Sequence, residues 1–284
     1  MAASLYLIAT PIGNLEDITL RALRILREEV GVIACEDTRE THKLLEHYGI
    51  RKPLISYHEH NEETRTADIL RRLQAGESVA LLSDAGTPLI SDPGYRVVTA
   101  SINAGFAVVP VPGASALLSA LAASGLPASE FRFIGFLPSK AAARRRILEG
   151  IASDPATVVA YESPHRLLQT LRDISDVLGD RPIVLAREIT KLYEEFLRGS
   201  AASIAEELAR RNAIKGEITL VIGPGEEAVH IDDPRAEISR LEKEQGLSRM
   251  EAIKTVAKLM GLPKREIYRL SAEQGSNPRD KRRD

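Results

Sequence analysis

Between residues 5 and 127, short apolar runs alternate with segments of helical spacing, and this alternation limits the chain to a helix-covered, mainly parallel sheet. The runs are residues 5–9, 32–35, 54–57, 79–82 and 106–109. Runs this short and this apolar suit strands buried on both faces. Asp17 is placed to cap the first helix, with apolar positions at Leu20, Leu23, Ile25 and Leu26, and Thr38 to start the second, closed by Gly49. A third helix stops at Gly76. A fourth opens at Asp92-Pro93, a capping side chain followed by proline at the first helical position, and a fifth of Ala, Leu and Ser ends at Gly125.

The run 79–82 breaks into residues 83–94, dominated by Asp, Gly, Ser, Thr and Pro. A loop of this length at the carboxyl end of a central strand is where open α/β sheets bind ligands, and Gly86 lets backbone approach one closely. Loops at 10–17, 36–39 and 111–115 leave the other strands in the same way.

The second half repeats the alternation with strands at 131–136, 157–161, 183–186 and 217–222. Helices open at Lys140, at Ser163-Pro164 and at Ser200. A ligand between two such units is gripped from both sides. The predicted domains are 1–126, 127–230 and 231–284. In the last, strands cease after Asp233-Pro234, Ser248 and Glu251 form a capping box opening a helix to Met260, and Gly261-Leu262-Pro263 turns into a helix through Tyr268. That pair reads as a helix-turn-helix or as a plain helical hairpin, and residues 277–284 as a charged tail.

Aromatics are only 4% of the chain and Trp is absent, so Leu, Ile, Val and Ala must fill the cores. Cys35 is the single cysteine, which excludes an internal disulfide and points to a reducing cytoplasm. The N-terminus lacks the basic region of a signal peptide, and the longest small-and-apolar stretch, 113–126, falls below the ~20 residues that span a bilayer, so a soluble protein without a membrane role is expected. Net charge is −2, unevenly placed: residues 231–284 hold 13 Lys+Arg against 10 Asp+Glu, and the rest 25 against 30. That basic appendage and the cluster Arg144-Arg145-Arg146 read either as polyanion contacts or as solvated helix faces.

Six segments together resemble the ribosomal RNA small subunit methyltransferase I family, a branch of the tetrapyrrole methylase superfamily. They are Ala9-Thr10-Pro11-Ile12-Gly13-Asn14-Leu15, Glu36-Asp37-Thr38-Arg39, Ser83-Asp84-Ala85-Gly86-Thr87-Pro88, Pro112-Gly113-Ala114-Ser115-Ala116, Tyr161-Glu162-Ser163-Pro164-His165-Arg166 and Gly216-Glu217-Ile218-Thr219. The resemblance implies a homodimer of two α/β domains with S-adenosylmethionine in the cleft between them, plus a small C-terminal helical domain. It further implies 2′-O-methylation of a cytidine ribose in the decoding region of small-subunit rRNA, as naked RNA or assembled subunit. Carried over by motif, the cofactor-binding residues are Pro11, Ile12, Asp84, Ala85, Gly86, Thr87, Ile90, Ser115, Ala116 and Glu162. The central loop reads Asp-Ala-Gly-Thr-Pro where tetrapyrrole enzymes have a Gly-Asp-Pro core.

Methyl transfer from a sulfonium is an in-line displacement, so a protein must mainly align acceptor oxygen, carbon and sulfur. A ribose hydroxyl is a poor nucleophile and gains from a general base or a charge that lowers its pKa. Strand-end candidates are Glu36, Asp37, Lys140, Glu162 and His165, each also readable as a cap or an ion pair. Asp37 suits a cap better than catalysis; Lys140, Glu162 and His165 are the catalytic candidates. His58-Glu59-His60 lacks a third ligand at usable spacing, so no metal is expected. Neither a Gly-x-Gly-x-x-Gly fingerprint nor a P-loop is present, which disfavours an NAD dehydrogenase or an NTPase. Two alternatives remain: a tetrapyrrole C-methyltransferase, which has no use for a basic helical domain, and a nucleic-acid-binding regulator that senses a small ligand.

Overall fold

The computed structural model describes residues 3–225, 231–262 and 264–272, so the tail at 277–284 and Pro263 of the interhelical turn lie outside the described residues. In the first unit β1 (Ser4–Ile8), β2 (Val32–Cys35), β3 (Leu54–Ser56), β4 (Val79–Leu82) and β5 (Ala107–Val111) pair in parallel in the order β3-β2-β4-β1-β5. Because successive strand residues point to opposite faces, Ile33, Cys35, Ala80 and Leu82 pack on α1 (Leu20–Glu28) and α2 (Thr38–His47). Val32, Ala34, Val79 and Leu81 pack on α3 (Glu62–Gln74) and α4 (Tyr95–Asn103) on the other side. With both faces covered, β2 and β4 have no polar face to show, which explains their unbroken apolar sequence. Connections leaving the neighbouring strands β1 and β4 run to opposite sides, so the loops after them flank a topological switch point.

The second sheet runs β6-β7-β10-β8-β9, from β6 (Phe131–Phe136), β7 (Thr157–Glu162), β8 (Pro182–Arg187), β9 (Glu195–Ser200) and β10 (Ile218–Ile222). Here only β6 and β7 are parallel, and the other pairings are antiparallel. The expectation of mainly parallel strands therefore holds for the first unit alone. Edge strand β9 was not foreseen: Arg198 and Gly199 are exposed and its other residues half-buried, so no apolar pattern marks it, and ion pairs of Glu195 with Arg187 and Arg211 hold its start. One face of this sheet carries α6 (Ala141–Gly150), α7 (Leu167–Leu178) and α8 (Ala201–Ala209). The other receives α5 (Ala116–Ser124), whose Leu117, Ala120 and Leu121 pack on Val159, Val184, Ala186 and Val221. The last helix of the first alternation thus belongs to the core of the second sheet and joins the two units.

Three predicted helix starts are displaced. Leu15–Asp17 closes a 3₁₀ turn, so Asp17 does not cap α1; Thr19 does, its hydroxyl accepting from the Ala22 amide at 3.1 Å. Asp92 does not cap α4, because Gly94, at φ +142°, holds that position and donates its amide to Glu62 at 3.0 Å. Ser163-Pro164 lies in a turn, and α7 begins only after Arg166. The Arg144-Arg145-Arg146 cluster is no open basic patch. Arg144 is fully buried and bonds Asp173 through Nε and Nη2 at 2.8 and 2.5 Å, and Arg145 bonds Asp173 and Asp176.

Beyond the second sheet, α9 (Pro234–Gln245), α10 (Arg249–Met260) and α11 (Lys264–Ala272) close around Ile238, Leu241, Ala252, Ile253, Val256, Ala257 and Ile267. Ser248 and Glu251 form the expected capping box at α10. α9 is an addition: Asp233 caps it by accepting from the Arg235 and Ala236 amides, with Pro234 at the first turn. The helical pair expected from sequence is a three-helix unit.

Candidate functional site

The loops after β1, β4 and β5 are tied into one surface by backbone. Thr10 and Gly86 exchange both amide bonds, at 2.8 and 3.0 Å, the Thr10 hydroxyl donates to Ser83 O at 3.0 Å, and the Ser83 hydroxyl donates to Gly86 O at 2.8 Å. Thr87 reaches across to Ala114 O. Gly86 sits at φ +82°, and this left-handed conformation is what requires glycine there. Leu89 and Ser91 also adopt left-handed φ, +73° and +71°, a strain that non-glycine residues carry where surrounding structure imposes it.

From the second unit a facing loop does the same, with Glu188 at φ +53° and Thr190 at φ +69° on either side of Ile189. The two units touch here: Thr190 Oγ1 accepts from the Asn14 amide at 3.2 Å, and the Lys191 stem lies so close over Gly13 that a Cβ there would fall 2.3 Å from it. Lys191 itself bridges Glu188 and Glu217 at 3.0 Å each.

Between the two units lies a cleft of about 420 Å³. Of the residues expected to bind a cofactor, Ile12, Asp84, Ala85, Gly86, Thr87, Ile90, Ser115, Ala116 and Glu162 line it. Pro11 is buried beside Ile12 but is not in the lining. Lys140 and His165 are exposed and also lie outside it; Lys140 precedes α6 and forms no ion pair among the described residues. Glu162 is at the wall with both carboxylate oxygens engaged: Oε1 accepts from the Ser163 amide and Arg166 at 2.6 and 2.8 Å, and Oε2 from the Thr170 hydroxyl at 2.6 Å. A carboxylate so engaged holds the start of α7 in place. Asp37 caps α2 through the Arg39 amide.

Three carboxylates of the lining, Glu36, Asp84 and Asp92, form no ion pair among the described residues, and neither Lys nor Arg lines the cleft. Burial, with Asp84 and Glu59 adding negative charge, raises the Glu36 pKa. Burial, with Glu36 and Asp84 adding to it, pushes the Asp92 carboxyl up to about 6, and its Oδ2 is enclosed without a hydrogen-bond partner. Sequence reasoning assigned Asp92 to a helix cap and so missed it. The usable signal was Gly94, which offers the helix its own start and frees Asp92 for the loop. His58 and His60 lie outside the cleft, with rings 6.0 Å apart.

The wall thus combines carboxylates without counter-ions and apolar faces from Ile12, Ile90, Ala116 and Ile189. A ligand with a positive charge and an apolar ring system suits it, whereas a polyphosphate meets only like charge.

Residues 4–205 match the family model described as Tetrapyrrole (Corrin/Porphyrin) Methylases. The chain is 49% identical over 273 residues to Ribosomal RNA small subunit methyltransferase I of Halalkalibacterium halodurans, covering 94% of each chain. To the protein of the same name from Micromonospora olivasterospora it is 46% identical over 279 residues, 96% of this chain and 88% of that one. Among solved structures, it shares its fold with uroporphyrin-III C-methyl transferase from Thermus thermophilus complexed with S-adenyl homocysteine. That likeness has TM-score 0.53 and 22% identity, and covers 77% of this chain and 97% of the other.

Proposed function

The chain belongs to the tetrapyrrole methylase family and, within it, to the ribosomal RNA small subunit methyltransferases I, and from this we propose that it methylates small-subunit rRNA with S-adenosylmethionine. The finer reading is transfer to the 2′-oxygen of a cytidine ribose in the decoding region, by a cytoplasmic homodimer. The observation that carries the choice of donor is the cleft lining, with three carboxylates lacking an ion-pair partner and no cationic side chain. Sulfonium and ammonium charges are attracted by it, and the phosphates of NAD or ATP are repelled. The lining bears on the donor; the choice of an RNA acceptor over a tetrapyrrole is supported by the relatives of rRNA-methyltransferase name that match 94–96% of this chain.

Bound S-adenosylmethionine supplies an electrophilic methyl carbon. Glu36 and Asp84 would hold the positive end of that ligand, and the strained backbone around Ile90 and Ile189 fixes the spacing between the two walls. Asp92 would take the hydroxyl proton: it lines the cleft with one carboxyl oxygen unpartnered, and burial pushes it up to about 6, where a base is deprotonated yet still basic enough to work. Glu162 orients the wall through α7, and Lys140 and His165 lie outside the lining.

Calorimetry and a turnover assay test the reading together. S-adenosylmethionine should stabilise the protein by roughly 2.7 kcal/mol at about a hundredfold excess over Kd, whereas NAD should not. Labelled methyl groups should pass to small subunits or their rRNA and not to a corrin, and bind the ribose rather than the base. Stabilisation by NAD alone, or methylation of the corrin alone, would sink the proposal; ligand binding without any turnover would favour a ligand-sensing regulator.

A further inference from the structure

Phe136 ends the edge strand β6, yet it is 57% exposed while lining the cleft. In a chain with 4% aromatic residues, it belongs to a cluster of three. Tyr161 stands edge-on between Phe133 and Phe136, with ring centroids 5.0 and 5.5 Å away and interplanar angles of 68° and 61°. The placement of Phe136 is built. The β6–β7 register shifts between Phe133 and Phe136, and Gly135, at φ +64°, makes the irregularity that re-aims the next side chain. A Cβ on Gly135 would sit 4.0 Å from Ser91 Oγ, so the residue before Phe136 faces the residue before Asp92 across the cleft.

We propose that Phe136 is the stacking platform for the unpaired base of the nucleotide to be methylated, held in place by Tyr161 and supported by Phe133. The inference rests on the RNA-methyltransferase reading above and adds the residue that selects a splayed, single-stranded nucleotide. An aromatic ring on an edge strand is open to an incoming strand, and single-stranded RNA is recognised by stacking its unpaired bases on such rings. Phe136 and Asp92 line the same cleft, so a base stacked on the ring brings its ribose into the cleft that carries the proposed proton acceptor. Stacking is tolerant of base identity, so the platform selects an unpaired nucleotide and leaves the choice of cytidine to other contacts.

The test compares Phe136→Ala, Phe136→Leu and Phe136→Trp with the wild-type protein, using small ribosomal subunits and S-adenosylmethionine. Phe136→Ala should lower kcat/KM for the RNA substrate about 10- to 100-fold, the range expected for one lost base stack. Cofactor affinity by calorimetry should stay within about twofold, and the melting temperature should hold, since the ring is mostly exposed. Phe136→Trp should restore turnover, and Phe136→Leu, apolar but unable to stack, should not. Equal activity of the Leu variant overturns the platform, and so does a parallel loss of cofactor affinity, which would place the donor's adenine on the ring. Wild-type protein that methylates no RNA overturns the enzymatic reading and this platform with it; wild-type turnover unaffected by Phe136→Ala overturns the platform alone.

Discussion

Asp92 combines an enclosed carboxyl oxygen without a partner, two acidic neighbours and a pKa near 6, so it costs the folded protein energy for as long as it is ionised. Its pKa is raised on folding, so the native state binds the proton more tightly than the unfolded chain. Stability from this group therefore rises as pH falls from about 7 toward 4, opposite to an ion-paired carboxylate. Asp92→Asn should accordingly stabilise the protein at pH 8 by about 1–2 kcal/mol, allowing for partial exposure, with the difference gone near pH 4. If Asp92 also takes the hydroxyl proton, the same variant should lose about a hundredfold or more in kcat, and the acid limb of the pH profile near 6 should disappear while cofactor affinity holds. Calorimetric melts across pH and single-turnover rates read the two effects separately. A destabilised variant with full activity would show that the carboxyl is structural. The sequence marks Gly86 as a glycine that lets backbone approach a ligand; what requires glycine there is the left-handed φ, since the nearest atoms to a Cβ, Ile12 Cγ2 and Ala114 O, lie at 3.4 and 3.8 Å.

Two Asp-Pro dipeptides show what was legible at the level of elements. Asp233-Pro234 does start a helix, and Asp92-Pro93 does not, although the local chemistry is the same. The difference lies in tertiary partners that sequence spacing does not carry: Glu62 on α3 takes the Gly94 amide, so α4 has no need of Asp92. α9 escaped notice for the opposite reason. Only Ile238 and Leu241 of its twelve residues are buried, too few for periodicity to stand out among its charges. The central strands β2 and β4 were legible because burial on both faces leaves them wholly apolar; edge strand β5 is as half-exposed as β9 but stays apolar in sequence, whereas β9 carries Glu195, Arg198, Gly199 and Ser200. The triple arginine failed as a surface patch because α6 turns Arg144 inward, where Asp173 and the carbonyls of Pro138 and Ser139 satisfy it. Removing one partner of a buried pair strands the other charge. Asp173→Asn should thus destabilise by about 3–5 kcal/mol in denaturant titrations, whereas Arg146→Gln, on the exposed face of the same helix, should change stability by less than about 0.5 kcal/mol. Equal small effects would mean that α6 and α7 are held by their apolar faces alone.

At the scale of the whole molecule, the cleft and the helical appendage are built from separate parts of the chain. Every residue of the cleft lining lies before Leu220, whereas the buried side chains of α9, α10 and α11 form a core of their own after Ile231. The appendage also reverses the charge balance, with 13 cationic against 10 anionic residues where the remainder holds 25 against 30. A unit that has its own core and the opposite sign of charge is suited to hold a polyanion rather than to complete the methylase fold. Three helices bury a small core of their own, whereas a two-helix hairpin buries too little to stand alone and would have to dock on the body. Deleting residues 231–284 should leave a soluble protein that binds S-adenosylmethionine with unchanged affinity. Its affinity for small-subunit RNA should fall, and the log–log salt slope should flatten by about 0.7–0.9 for each phosphate contact removed. Filter binding at several salt concentrations, beside calorimetry with the cofactor and light scattering for mass, separates the outcomes. An insoluble or newly monomeric product with the original salt slope would assign the helices to folding or to a subunit interface instead.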